Sequence, residues 1–210
     1  MIDEKNFEKI ETFLSTVEGR RQDVGYIPCN CVFKAGKTAN YRGEGDPDGY
    51  SAMGASGVTI ATGVDLGQTD VATLKKIGVI DAVIEQLMPY IGLRRDDAIR
   101  ALHREPLVML DDVAAMLDHC MHKHHLKIIL ARYDRDAGDG AYADMPWQAQ
   151  AVVYSLLYQM GTGSPSKMPK TWRALVGKNW KEAAEELMSE NWKGYKSRRK
   201  AEGKLLMEIV

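Results

Sequence analysis

Glu18, Thr59 and Asp65 are the residues of this 210-residue chain whose types and surroundings suit one kind of chemistry. Glu18 closes an amphipathic stretch and is followed at once by Gly19, so its carboxyl belongs beside the unpaired carbonyls of a helix C-terminus. The negative end of the helix macrodipole favours the protonated form there, while Arg20 and Arg21 act in the opposite sense. A carboxyl that stays protonated near neutral pH is what cleavage of a glycosidic bond requires as its proton donor. A second carboxylate must then help a water reach the anomeric carbon. Asp65 is a candidate for that task, and Thr59, six residues earlier on the same glycine-flanked segment, supplies a hydroxyl that can hold the water. The chain carries 29 acidic residues and so offers many such pairs. A solvated glutamate and an aspartate in a turn are the competing reading.

The elements that must position these groups show in the periodicity. Phe7, Ile10, Phe13, Leu14 and Val17 fall on one face of a helix over 4–18, with Asp3 as its N-cap and Gly19 as its stop. Residues 29–56 carry Gly36, Gly43, Gly45, Gly49, Gly54 and the turn signal Asp46-Pro47-Asp48-Gly49, and read as a long loop without regular structure. The run from Ser56 to Leu66 is rich in β-branched residues and broken by glycines. It predicts a short bent strand or hairpin pairing with Tyr26-Ile27.

After Gln68 the pattern is helical. Thr69 or Asp70 caps a short helix ending at Gly78, residues 80–87 and 96–103 form two more, and Asp111 caps a long one over 111–133. A polar stretch over 134–144 precedes the segment from Pro146 to Met160, which is apolar nearly all round and therefore buried. Helices over 171–176, 180–188 and 197–209 wrap around it. The expected fold is α+β and mostly α, a single domain of two lobes. An N-terminal lobe (1–110) holds a small β-hairpin or sheet and the loop 29–56, a long helix (111–133) links, and a helical lobe follows (134–210).

Composition narrows the classes. Lys and Arg number 28 against 29 Asp and Glu, a formal charge of −1, and without a basic excess a dedicated nucleic-acid binder is not expected. With 45% apolar residues the chain can build a core without staples. Cys29, Cys31 and Cys120 are too few for a disulfide framework, and a Cys29–Cys31 bridge would be strained, so free thiols are expected. No run approaches the roughly 18 apolar residues that a membrane span needs. His119, Cys120, His122, His124 and His125 crowd the long helix but lack an acidic partner at ligand spacing, and 134–145 departs from a calcium loop at Asp139 and Met145. Neither a metal nor another cofactor is expected.

Glu18-Gly19, Gly25-Tyr26-Ile27-Pro28 and the run from Ser56 to Gln68 resemble the catalytic lobe of the pesticin-type muramidases, relatives of the tailed-phage lysozymes. Tyr158-Gln159-Met160-Gly161, Trp172-Arg173, Trp180-Lys181-Glu182-Ala183-Ala184, Trp192 and Arg198-Arg199 with Glu202 are similar, in order and approximate spacing, to their helical lobe. The resemblance spans nearly all of the chain except the long loop. It implies a lysozyme-like two-lobe fold and hydrolysis of the β-1,4 bond between N-acetylmuramic acid and N-acetylglucosamine in peptidoglycan. It also implies a triad in which Glu18 is the general acid, Asp65 the base or water-orienting carboxylate, and Thr59 its partner. An inverting course would set the carboxyl groups about 6.5–9.5 Å apart. Arg199, or its neighbour Arg198, is implied as a partner of Glu18, Gln159 as lining the sugar site, and Tyr26 as a supporting residue.

Two departures from the family stand out. Ala61 occupies a place where these enzymes usually have glycine, and the long loop brings the rival carboxylates Glu44, Asp46 and Asp48. Asp23, between Glu18 and the strand, is another rival. The stretch from Lys193 to Lys204 sets six cations against Glu202 alone, either as a solvated helix face or as a salt-sensitive attraction to an anionic wall. A lytic transglycosylase on the same fold and a silent wall-binding module are the alternative functions. As a toxin domain the chain would have an immunity protein as partner; as an endolysin it would not. A monomer is expected. The start of the chain lacks the pattern of a signal peptide, so synthesis in the cytoplasm and action in the periplasm or wall of a target bacterium after delivery or release are expected.

Overall fold

The structure, a computed structural model, describes residues 2–34 and 36–210. The first amphipathic stretch forms helix α1 (Glu4–Glu18), burying Phe7, Ile10 and Leu14. Asp3 opens it by accepting the Lys5 N–H at 3.3 Å, and Gly19, at φ +95°, ends it.

Among the described residues five strands follow: β1 (Gln22–Cys31), β2 (Thr38–Tyr41), β3 (Tyr50–Ala52), β4 (Thr59–Ala61) and β5 (Val64–Asp65). They form one antiparallel sheet in the order β2-β1-β4-β5, with β3 also paired to β1. The ten-residue β1 is its spine. Gln22 and Tyr26 lie opposite Ala61 and Thr59 of β4, whereas Ile27 to Asn30 pair with β2 and Cys29 to Cys31 with β3. Between Gln22 and Tyr26 the register slips. There β1 takes on the segment around Val108 instead, through Gly25 N–H to Leu107 O and Met109 N–H to Asp23 O, both 2.8 Å.

Residues 29–56 are therefore not a structureless loop. The end of β1, all of β2 and β3, and a 3₁₀ turn at Pro47–Gly49 lie within them. Strands of three and four residues are too short to show an alternation, and their anchors are the buried Cys29 and Tyr41 rather than a run of valines. The Tyr41 ring packs on Tyr50 with centroids 4.8 Å apart.

The helices are α2 (Val71–Lys76), α3 (Asp81–Leu87), α4 (Arg95–Arg104), α5 (Asp111–Ala137), α6 (Trp147–Met160), α7 (Pro169–Val176), α8 (Trp180–Met188) and α9 (Lys196–Met207). Local caps place several ends. Asp70 accepts the Thr73 N–H at 2.7 Å, and Asn179 and Glu182 bond each other reciprocally at the start of α8. Asp111 is the first residue of α5 rather than its cap, since Leu110 O takes the Ala114 N–H. That helix runs on past 133, and Asp134 folds the next turn back by accepting the Gly140 and Tyr142 amides.

The result is α+β and mostly α, and the chain gathers into two compact units. Glu18–Lys123 form the first, with the sheet and a core of Ile27, Val58, Ile60, Leu66, Leu74 and Leu102. The residues up to Val17 join His124–Val210 in the second, so that α1 groups with the helices rather than with the sheet. Its core centres on α6, where every residue from Ala149 to Leu157 is buried, packed by Ile10, Leu14, Leu187 and Leu206. Among the described residues no helix is long and apolar enough to cross a membrane.

Candidate active site

In the hairpin of β4 and β5, Thr59 stands directly opposite Asp65 and Ile60 opposite Val64. On the other side of β4, Thr59 stands opposite Tyr26. Directly opposed residues of an antiparallel pair project to the same face, their Cβ atoms about 4.5–5.5 Å apart. Tyr26, Thr59 and Asp65 thus make a row across three strands. Burial raises the pKa of the Tyr26 phenol, Arg42 at 5.6 Å from its ring lowers it, and the charges of Glu18 and Asp65 raise it further. Tyr26 is within electrostatic reach of both carboxyl groups. Of the expected site residues, Glu18, Tyr26, Thr59 and Asp65 all belong to the β-containing unit.

Asp65 is held by its neighbours' backbone. Its Oδ1 accepts the Gly67 N–H at 2.9 Å and the Gly57 N–H at 3.1 Å, and it caps the 3₁₀ turn Leu66–Gln68. Burial pushes its pKa above the ordinary aspartate value, against the opposing pull of the two amides, Arg94 and Gln68. Thr59, only 5% exposed, donates from Oγ1 to Gly57 O at 3.5 Å. Behind this turn runs a second segment. Gly92 N–H bonds Leu66 O at 2.9 Å, Arg94 Nε bonds Gly67 O at 2.7 Å, and Arg95 N–H bonds Ser56 O at 3.0 Å.

Sequence reasoning missed Asp118. Its side chain is buried on α5, where Oδ1 accepts the Thr62 N–H at 2.9 Å and Oδ2 accepts both Thr62 Oγ1–H at 2.6 Å and Arg21 Nε–H at 3.0 Å. Arg21 reaches Asp111 as well, at 3.3 Å. The available signal was an aspartate on a helical face between Ala114 and Met121, where an apolar residue belongs.

The rival carboxylates fall outside the row of Tyr26, Thr59 and Asp65. Asp23 is exposed at the register slip of β1. Glu44, Asp46 and Asp48 belong to the link between β2 and β3, which pair with the later half of β1 and not with β4. Asp46 caps the turn there. Among the described residues no group of three or more His, Cys, Asp or Glu is placed to hold a metal ion.

Gln159 and Arg199 come together in the helical unit. Arg199 Nη2 donates to Gln159 Oε1 and to Glu202 Oε1, both at 2.7 Å, and its guanidinium lies 5.2 Å from the Trp192 ring centre. Arg198 Nε, at 3.3 Å, and Ser155 Oγ, at 2.5 Å, converge on the same Glu202 oxygen. Burial raises the Glu202 pKa, against the pull of Arg199, Ser155 and Arg198. This corrects the reading of the basic stretch as one solvated cationic face. Arg198 and Arg199 are 6% and 1% exposed, and Lys196 and Lys200 pair with Glu190.

Residues 9–181 match the family described as Pesticin, the C-terminal part of a bacterial toxin homologue of phage lysozyme. Glu18, Tyr26, Thr59, Asp65 and Gln159 fall inside the match, and Arg199 falls beyond it. No curated protein matches the chain.

Proposed function

We propose that this chain, which belongs to the Pesticin family of bacterial toxin homologues of phage lysozyme, is a peptidoglycan muramidase. It cleaves the β-1,4 bond from N-acetylmuramic acid to N-acetylglucosamine. The observation that carries the reading is the row Tyr26–Thr59–Asp65 on one sheet face, with Glu18 and Asp65 both acting on Tyr26.

Glu18, as the acid, gives its proton to the glycosidic oxygen while the bond from that oxygen to C1 breaks. A water held by Thr59 and Asp65 attacks C1 from the opposite face, and Asp65 takes the proton that the water loses. The product is a reducing muramic end of inverted configuration. A raised pKa makes Asp65 a better acceptor for that proton. Tyr26 supports the two carboxyl groups, and Gln159 with Arg199 serves the sugar-binding side of the reaction. No step calls for a metal or cofactor. The chain acts on the wall of a target bacterium after delivery or release, and as a toxin domain it is matched by an immunity protein in its producer.

Digestion of purified peptidoglycan by the wild type and by Glu18→Gln, with mass analysis of the fragments, tests this. Reducing muramic ends from the wild type alone are expected. Anhydro ends would make the enzyme a lytic transglycosylase, and no fragments from either protein would leave a wall-binding module.

A further inference from the structure

We infer that Asp118 is a positioning residue for this site, clamping the tip of the β4–β5 hairpin and the chain leaving Glu18 to one point on α5. Its effect on turnover rests on the muramidase reading; its effect on the hairpin does not.

The hairpin needs such a clamp. β5 is the last strand of the sheet order and is held to β4 at only two positions. The end of β4 is strained as well: Ala61 is held at φ +54°, a conformation that costs a non-glycine residue about 1–2 kcal/mol. Something outside the hairpin has to overdetermine it. Asp118 spends both oxygens on Thr62, one on the amide and one on the hydroxyl. Asp118 is only 4% exposed, and its helix spans 27 residues. Charge-assisted bonds in such a buried place are short and directional.

Thr62 stands midway between Thr59 and Asp65, three residues from each. A tilt of the tip is therefore passed to both side chains. The oxygen that holds the Thr62 hydroxyl also holds Arg21, three residues beyond Glu18. One carboxylate thus ties together the two stretches that carry the acid and the base. A misplacement of about 1 Å at a reacting group can cost on the order of a hundredfold in rate.

The experiment follows turnover on purified peptidoglycan and backbone amide exchange in the full chain, for Thr62→Val, Thr62→Ser and Asp118→Asn. Thr62→Val, which keeps the shape and loses the hydroxyl, is expected to lower kcat about tenfold or more with KM within about twofold, while Thr62→Ser keeps most of the wild-type rate. Adding Thr62→Val to Asp118→Asn should cost little more than Asp118→Asn alone. Exchange at Thr62 and Gly67 should quicken in Thr62→Val and Asp118→Asn while α6 keeps its protection. A wild-type kcat in Thr62→Val, or a Thr62→Ser as slow as Thr62→Val, overturns the inference. If the wild type releases no muropeptides, the muramidase reading falls and exchange alone decides: quickened exchange at Gly67 in Asp118→Asn supports the clamp, and unchanged exchange overturns it.

Discussion

Gly57 and Gly67 pass one another with no room for a side chain on either. A Cβ on Gly57 would stand 2.6 Å from the Cα and N of Gly67, and a Cβ on Gly67 would stand 2.9 Å from the Cα of Gly57. Leu93 O closes the remaining space, at 2.5 Å and 2.6 Å from the two positions. The contact is backbone on backbone, so no flexible side chain can give way. Both amides at this crossing point at Asp65 Oδ1, and the close approach is what brings them there.

Alanine at either glycine should therefore cost more activity than stability. Overpacking of this kind destabilises by about 1–3 kcal/mol. Below the melting temperature, the folded Gly67→Ala protein should still release muropeptides at least about tenfold more slowly, because the carboxylate has moved. Thermal melts beside initial rates separate the two losses. A folded Gly67→Ala enzyme with wild-type rate would show that the crossing has no part in catalysis.

Ala61→Gly should have the opposite sign. Ala61 holds a positive φ that glycine adopts freely, and relief of that strain outweighs the added freedom of the unfolded chain by up to about 1 kcal/mol. Urea unfolding should show a higher midpoint at an unchanged slope.

Asp65→Asn should separate function from stability through pH. Burial raises the Asp65 pKa in the folded protein, so the folded state binds its proton more tightly than the unfolded chain does. The resulting stabilisation is present in full below the unfolded value and is lost as pH rises through the folded one. The advantage of Asp65→Asn over the wild type should thus be greater at pH 7 than at pH 3, read from melting temperatures at both. Turnover should fall by about 10²–10⁴. In the wild type the acidic limb of the rate profile should lie above the ordinary aspartate range.

Glu202→Gln should unfold more readily by about 3 kcal/mol or more, since it leaves the buried Arg198 and Arg199 without their shared anion. Chemical denaturation measures this, and a change within about 0.5 kcal/mol would mean that the carboxylate contributes little to the helical unit.

Helix ends were legible where a cap acts on its own neighbours: Asp3 and Gly19 do, and of the pair Thr69 and Asp70 it is Asp70 that caps. So was α6, because nine consecutive buried residues leave a composition no surface helix has. The β-branched run around Thr59 and its pairing with Tyr26 could be read from periodicity and glycine spacing. What lay hidden was set by contacts distant in sequence. β2 and β3 pair over too few residues to alternate, the Gly57–Gly67 crossing is enforced partly by Leu93, and Asp118 finds Thr62 from 56 residues away. In the same way Arg199 could be singled out from the sequence, but its bond to Gln159, 40 residues upstream, could not.

The division of the chain also fixes a timetable. Residues 18–123 are contiguous and can gather their core as soon as they have left the ribosome, whereas the helical unit draws on both flanks of that stretch. Ile10 and Leu14 belong to the same core as Val152, Tyr154 and Leu187. At about 5–20 residues per second, these two must wait on the order of ten seconds for their partners to be made. During synthesis, then, the half of the molecule bearing Glu18, Thr59 and Asp65 can take shape while α1 is still an exposed apolar stripe in need of cover.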